Sequence, residues 1–171
     1  MTVIEPLTPD HFAKVAEWLS KPDLNQWLTS EWRNRSIDPV VIGVAVRNKR
    51  NRLFLVRFED RPCGLVALAD WDPTDKIAMT WYVLGDNTLG GRGIITDALK
   101  RLIGIAFEEF DIDVVYAWII EDNHPSRRVL EKVGFRKMGN LRSGSIRGGR
   151  RLDRVYFDLT KQDLAPKLNG G

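Results

Sequence analysis

Two short stretches of this chain bring together residue types that bind anions and position reacting groups. The first reads Trp81-Tyr82-Val83-Leu84-Gly85-Asp86-Asn87-Thr88-Leu89-Gly90-Gly91-Arg92-Gly93-Ile94-Ile95-Thr96. A glycine turn at a strand end lets backbone amides approach an anion without side-chain obstruction. A helix starting near Arg92 adds unpaired N–H groups and the positive end of its dipole. A pyrophosphate suits that arrangement, and Arg92 can add a charge-assisted contact. The second stretch is Asn123-His124-Pro125-Ser126, followed by Val129-Leu130-Glu131-Lys132-Val133-Gly134-Phe135. Asn123 or Asp122 can cap a helix there, and Gly134 can end it in the left-handed conformation.

Around these stretches the chain reads as alternating strands and helices. Positions 3–7 form a first strand, and Thr8 or Asp10 caps a helix presenting Phe12, Val15, Ala16 and Leu19 on one face. Positions 22–38, with Trp27, Leu28 and Trp32 among polar neighbours, read as a short helix and loop over a pocket. Strands follow at 53–58 and 63–69 around a turn at 59–62, then a break at 71–75 and a strand at 77–84. Ile95, Ala98, Leu99, Leu102, Ile103, Ala106 and Phe110 repeat at helical spacing. Positions 114–120 are apolar throughout, as a strand buried on both faces would be. A helix over 126–133 and a hairpin of 135–139 with 154–159 complete a mixed α/β order with one parallel crossover. No repeat or long linker interrupts it, so positions 1–164 form one domain and 165–171 a frayed tail.

Three phosphate-binding patterns compete for the glycine turn. A P-loop requires Gly-Lys followed by Ser or Thr, which is absent. A dinucleotide fingerprint places Thr96 where its third glycine belongs, and Glu121 lies too far along for the usual ribose partner. The third pattern, Gln/Arg-x-x-Gly-x-Gly/Ala, maps onto Gly90 to Ile95, with Gly90 and Ile95 departing from it. Together with Asn123-x-x-Ser126 and the helix to Phe135, it resembles the acyl-CoA-binding core of the GNAT N-acyltransferases. The flavour is that of the branch acetylating ribosomal-protein N-termini. The resemblance spans roughly positions 77–157.

It implies a mixed central sheet with a splayed parallel strand pair and flanking helices, and direct transfer of an acetyl or other acyl group from CoA to an amine. The acceptor would be a small molecule, an amino sugar or a protein N-terminus. Cofactor-binding residues would be Val83, Leu84, Gly91, Arg92, Gly93, Ile94, Ile95, Thr96, Asn123 and Ser126. A backbone N–H near Val83 or Leu84 would stabilise the developing oxyanion. The tyrosine that protonates the leaving thiolate in many relatives is replaced by Leu130, and Ser126 is the alternative acid. The glutamate proposed as base in the ribosomal branch is replaced by Ser145. Asp70, Asp72, Glu121, Asp122 and Asp153 remain as bases, and Glu121 and Asp153 join Ser126 as the catalytic candidates. Dimers are common among relatives, so a homodimer is an expectation. A non-catalytic CoA-binding module is the alternative.

Composition bounds the remaining classes. At 171 residues and 43% hydrophobic content, one sizeable core is expected. No apolar run is long enough for a membrane span, and positions 1–6 lack a signal-peptide start. One cysteine, Cys63, forbids an internal disulfide and fits a reducing cytoplasm. The two histidines, His11 and His124, lack metal-ligand spacing, so no metal is expected. Net charge is only +3, yet Arg136, Lys137, Arg142, Arg147, Arg150, Arg151 and Arg154 face one acid, Asp153. That stretch is either a solvated hairpin or an attractor of phosphate, an acidic substrate or nucleic acid, the last a ribosome-associated alternative. Of the six tryptophans, Trp27, Trp32 and Trp71 fall in loops where they could line an acceptor pocket, and the others read as core.

Overall fold

The computed structural model describes residues 1–33 and 35–165, so the frayed tail expected from 165 lies, from 166 onward, outside the described residues. Seven strands form one sheet: β1 (Thr2–Pro6), β2 (Arg52–Phe58), β3 (Arg61–Asp72), β4 (Ile77–Leu84), β5 (Val114–Ile120), β6 (Arg136–Arg147) and β7 (Arg150–Thr160). Their spatial order is β1-β2-β3-β4-β5-β7-β6. Every neighbouring pair is antiparallel except β4 and β5. Between β1 and β2 run α1 (Phe12–Ser20), α2 (Pro22–Asn25), α3 (Ser30–Arg33) and α4 (Pro39–Arg47). The later helices are α5 (Ile94–Glu108), α6 (His124–Val133) and α7 (Lys161–Leu164).

Two apolar layers hold the sheet. On one face α5 buries Ile95, Ala98, Leu99, Leu102, Ile103 and Ala106 against Val66, Leu68, Ala78, Val115, Ala117 and Ile119. On the other, α1 and α4 bury Val15, Trp18, Leu19 and Ile42 against Leu53, Leu55, Leu65, Ala67 and Val83. Successive strand residues point to opposite faces, so β2 divides its apolar run between both layers. The second layer stops short of β5. Tyr116 and Trp118 are therefore only half-buried, which corrects the expectation that 114–120 is buried on both faces.

Several boundaries also differ from expectation. Helix α4 arises from Val-Val-Ile-Gly-Val-Ala-Val, a run whose β-branched residues suit a strand. Its start decides otherwise: Asp38 Oδ1 accepts from Val41 N at 3.0 Å and Pro39 occupies the first turn. Neither Thr8 nor Asp10 caps α1 through its side chain; a 3-10 turn, Pro9–His11, leads into it. Strand β3 continues to Asp72, whose Oδ1 then accepts from Thr74 N and Asp75 N to turn the chain. The last hairpin extends well past expectation on its turn side, β6 running to Arg147 and β7 starting at Arg150, and turns at Gly148-Gly149.

The register of the parallel pair sets up the site. Strands β4 and β5 join only at Ile77–Val114, Ala78–Val115 and Met79–Tyr116. Beyond that, β4 stays with β3 as far as Leu84, and β5 stays with β7 as far as Ile120. The two strands part, and a wedge opens between them.

Candidate active site

A cavity of about 460 Å³ occupies this wedge. One wall is β4 from Met79 to Leu84, and the facing wall is Ala117, Trp118 and Ile119 of β5. The glycine turn closes one side with Gly90, Gly91, Gly93, Ile94, Ile95 and Thr96; α6 contributes Ser126, Arg128, Val129 and Lys132. Strand residues next to a missing neighbour keep alternate N–H and C=O groups unused, so the β4 wall from Thr80 onward offers backbone groups to an extended ligand.

The turn is shaped for an anion. Gly91 and Gly93 both have positive φ, at 79° and 76°, and Gly93 is the residue from which α5 starts. No side chain caps α5, leaving its first N–H groups for a ligand. Arg92 is exposed beside this turn without lining the cavity, whereas Arg128 and Lys132 lie in the lining and add positive charge. Neither is marked in the sequence, since charged positions on an amphipathic helix give no hint of what they face.

Asn123 is buried at the mouth of α6, and its Oδ1 accepts from Ser126 N at 3.3 Å. Its capping role is therefore direct, and its side chain also reaches the cavity. Ser126 lines the cavity, and its hydroxyl makes no hydrogen bond to another described residue. Its carbonyl accepts from Tyr82 Oη at 3.1 Å, tying α6 to β4 across the wedge. Burial holds the Tyr82 phenol well above its ordinary pKa, opposed by that hydrogen bond, so it remains a neutral donor. Leu130 is fully buried in the core.

The candidate bases fall elsewhere. Glu121 Oε1 accepts from Asp153 N at 2.7 Å, at the far end of the β5–β7 pairing. Asp153 accepts from Ser143 N at 2.9 Å and Asn140 Nδ2 at 3.2 Å, holding the irregular part of β6. The backbone bond from Ser143, then the Asn140 amide, hold its carboxyl below the usual carboxylate range. Strand alternation puts its neighbour Arg154, rather than Asp153, on the Trp118 face. Neither Glu121 nor Asp153 lines the cavity, nor do Asp70, Asp72 or Asp122. The one described carboxylate in the lining is Asp23 of α2, which accepts from Asn87 Nδ2 at 2.6 Å.

Aromatic side chains form the rest of the wall. Trp27 and Trp32 line the cavity as expected, joined by Trp81 and Trp118. Trp32 and Trp81 pack with ring centroids 5.3 Å apart. Trp71 departs from expectation: it packs against Phe110 at 5.8 Å, outside the cavity. Cys63 is fully buried and donates to Val56 O, and burial followed by the charge of Asp86 raises its thiol to about 11. A thiol so held is packing rather than a nucleophile. Among the described residues, no helix is long and apolar enough to cross a membrane, and no group of three metal-ligating side chains converges.

Comparison with known proteins agrees with this architecture. Residues 2–136 match the family model of the acetyltransferase (GNAT) domain. YdaF of Bacillus subtilis, named as a candidate ribosomal N-acetyltransferase, is 35% identical over 101 residues. That segment is 59% of this chain and 55% of YdaF, so the match spans about half the length of that relative. Mycobacterium smegmatis RimJ, solved with a CoA disulfide, superposes with TM-score 0.80 at 22% identity over 96% of this chain and 84% of RimJ. Vibrio cholerae spermidine N-acetyltransferase, solved with CoA and spermine, superposes with TM-score 0.82 at 14% identity over 95% and 96%. At those identities the two structures establish a shared fold. The splayed parallel pair, the glycine turn at the wedge and the family match over most of the chain place this protein in the GNAT acetyltransferase family.

Proposed function

We propose that this chain transfers an acyl group, acetyl in the first instance, from CoA to an amine held against the tryptophan wall. The observation that carries this is the wedge itself: a strand edge with unused backbone groups leads from a glycine-lined helix start to an aromatic pocket. Acetyl-CoA fits those parts. Gly91, Gly93, Ile94, Ile95 and Thr96 would hold its pyrophosphate, with Arg92, Arg128 and Lys132 near enough to add charge. Val83, Leu84 and Asn123 would take the amide-bearing arm.

Bound there, acetyl-CoA supplies a thioester carbonyl. The acceptor nitrogen forms the new C–N bond, the C–S bond breaks, and the sulfur leaves as thiolate. A β4 N–H near Val83 or Leu84 stabilises charge developing on the carbonyl oxygen. Ser126, with its hydroxyl uncommitted, relays a proton to the sulfur and takes its replacement from water. A thiol ionises near about 8.5, so that help is modest. The amine must first lose a proton, since an alkylammonium has a pKa near about 10. Glu121 and Asp153 would have to take it through water, because their carboxylates are engaged with β7 and β6 backbone. The buried free thiol of Cys63 suits a cytoplasmic setting.

Turnover is the test. Free-thiol release from acetyl-CoA should appear only when an amine acceptor is supplied, with the acyl-amine found by mass spectrometry. Tight CoA binding without transfer to any of a broad set of amines, including peptide N-termini, would make the chain a CoA-binding module.

A further inference from the structure

Behind the aromatic wall lies a group of cations that the transfer chemistry does not use. Arg33 Nε and Arg147 Nη2 donate to the same acceptor, the carbonyl of Leu28, each at 3.1 Å. Arg147 Nε also donates to Gln26 O. Arg154 donates through Nε to Ser145 Oγ at 2.8 Å and lies 4.2 Å above the Trp118 ring. Leu28 and Trp118 both line the cavity. Three half-buried guanidiniums thus sit close together just behind the lining at Leu28 and Trp118, and among the described residues none is ion-paired with a carboxylate. Beside them, Thr29 Oγ1 is buried in the cavity lining without a hydrogen-bond partner.

We infer that the acceptor carries an anionic group, a carboxylate or a phosphate, set beside a planar or apolar body that packs on the tryptophans. This reading deepens the proposed amine transfer and rests on it. Like charges gathered away from water repel, and a bound anion would reverse that cost. The Arg147 guanidinium shows the strain: burial first, then Arg33 and Arg154, lower its pKa to about 10. A guanidinium has five N–H donors, and each of these three keeps at least two uncommitted. Those spare donors match the two oxygens of a carboxylate or phosphate. A polycation of the kind bound by the spermidine enzyme would meet repulsion on this wall.

The experiment titrates the whole protein, with CoA present at saturation, against three ligands sharing a benzene ring: phenylacetate, phenyl phosphate and phenethylamine. Saturating CoA keeps the anions off the glycine turn, and its own affinity is measured first, by titrating CoA into each free protein. One or both anions should bind, weakening at least about fivefold in Arg154→Gln and in Arg33→Gln, while CoA affinity stays within about twofold. Which anion binds more tightly separates carboxylate from phosphate. Arg154→Lys, which keeps the charge and the stem over Trp118, should recover part of the loss. The inference is overturned if neither anion binds, if phenethylamine binds more tightly than both, or if the arginine changes leave anion binding unaltered. Loss of CoA binding in the wild type would instead contradict the cofactor reading, with the anion titrations still readable without CoA.

Discussion

Ser126 illustrates how one residue serves two ends. Its N–H completes the Asn123 cap, while its hydroxyl is left to the cavity. Replacing it with alanine keeps the N–H and removes the hydroxyl. The account predicts kcat lower by about three- to tenfold, below the usual range for a general acid because thiolate departs readily. KM for acetyl-CoA should move less than about twofold. An unchanged kcat would assign Ser126 to the helix start alone. Asp153 carries a different prediction, about stability. Its pKa is depressed in the folded protein, so its contribution is present above the ordinary carboxylate range and lost as pH falls through the lower folded value. Asp153→Asn should therefore melt below wild type at neutral pH, and the two melting curves should converge in acid. A constant difference at all pH values would mean the hydrogen bonds matter without the charge.

At the scale of elements, regular strands and the long amphipathic helix were legible because their signals are local. Ile77–Leu84 and Val114–Ile120 have the bounds that alternation and apolarity indicated, and α5 has the buried stripe that its spacing required. What sequence did not show depended on partners. Positions 39–47 carried no assigned element, since the β-branched run of α4 and its Asp38-Pro39 start point to different structures. Of the residues that line the cavity, Gly91, Gly93 and Asn123 were legible because a turn or a helix start marks them, whereas Asp23, Arg128 and Lys132 are brought there only by tertiary packing. Two changes test the element-level account. Asp38→Ala should cost about 1 kcal/mol by removing the α4 cap. Gly85→Ala should cost about 1–3 kcal/mol, because a Cβ there would overlap the buried Trp18 ring where α1 crosses the end of β4. Urea unfolding reads both, and wild-type stability in Gly85→Ala would show that α1 can move away freely.

Across the whole molecule, one topological fact generates the site. A parallel pair joined at three positions and then released makes a wedge whose two walls are each held by an outer antiparallel neighbour. The basic run at 136–154 also makes sense only at this scale. Arg136 pairs with Asp163, Arg151 donates to Ser143 O, and Arg147 and Arg154 turn toward the tryptophan wall. A stretch that looked like one patch is shared among separate tasks by strand alternation.

The central claim is that the wedge binds acyl-CoA through its glycine turn, and calorimetric titration of acetyl-CoA into wild type and Gly93→Asp tests it most directly. Gly93 has φ of 76°, and aspartate there adds backbone strain and a negative charge where the pyrophosphate would lie. The account predicts one acetyl-CoA per chain in the wild type, and affinity at least about tenfold weaker in a Gly93→Asp protein that still melts cooperatively. A folded wild type that does not bind acetyl-CoA, or a folded variant that binds it equally well, would contradict it.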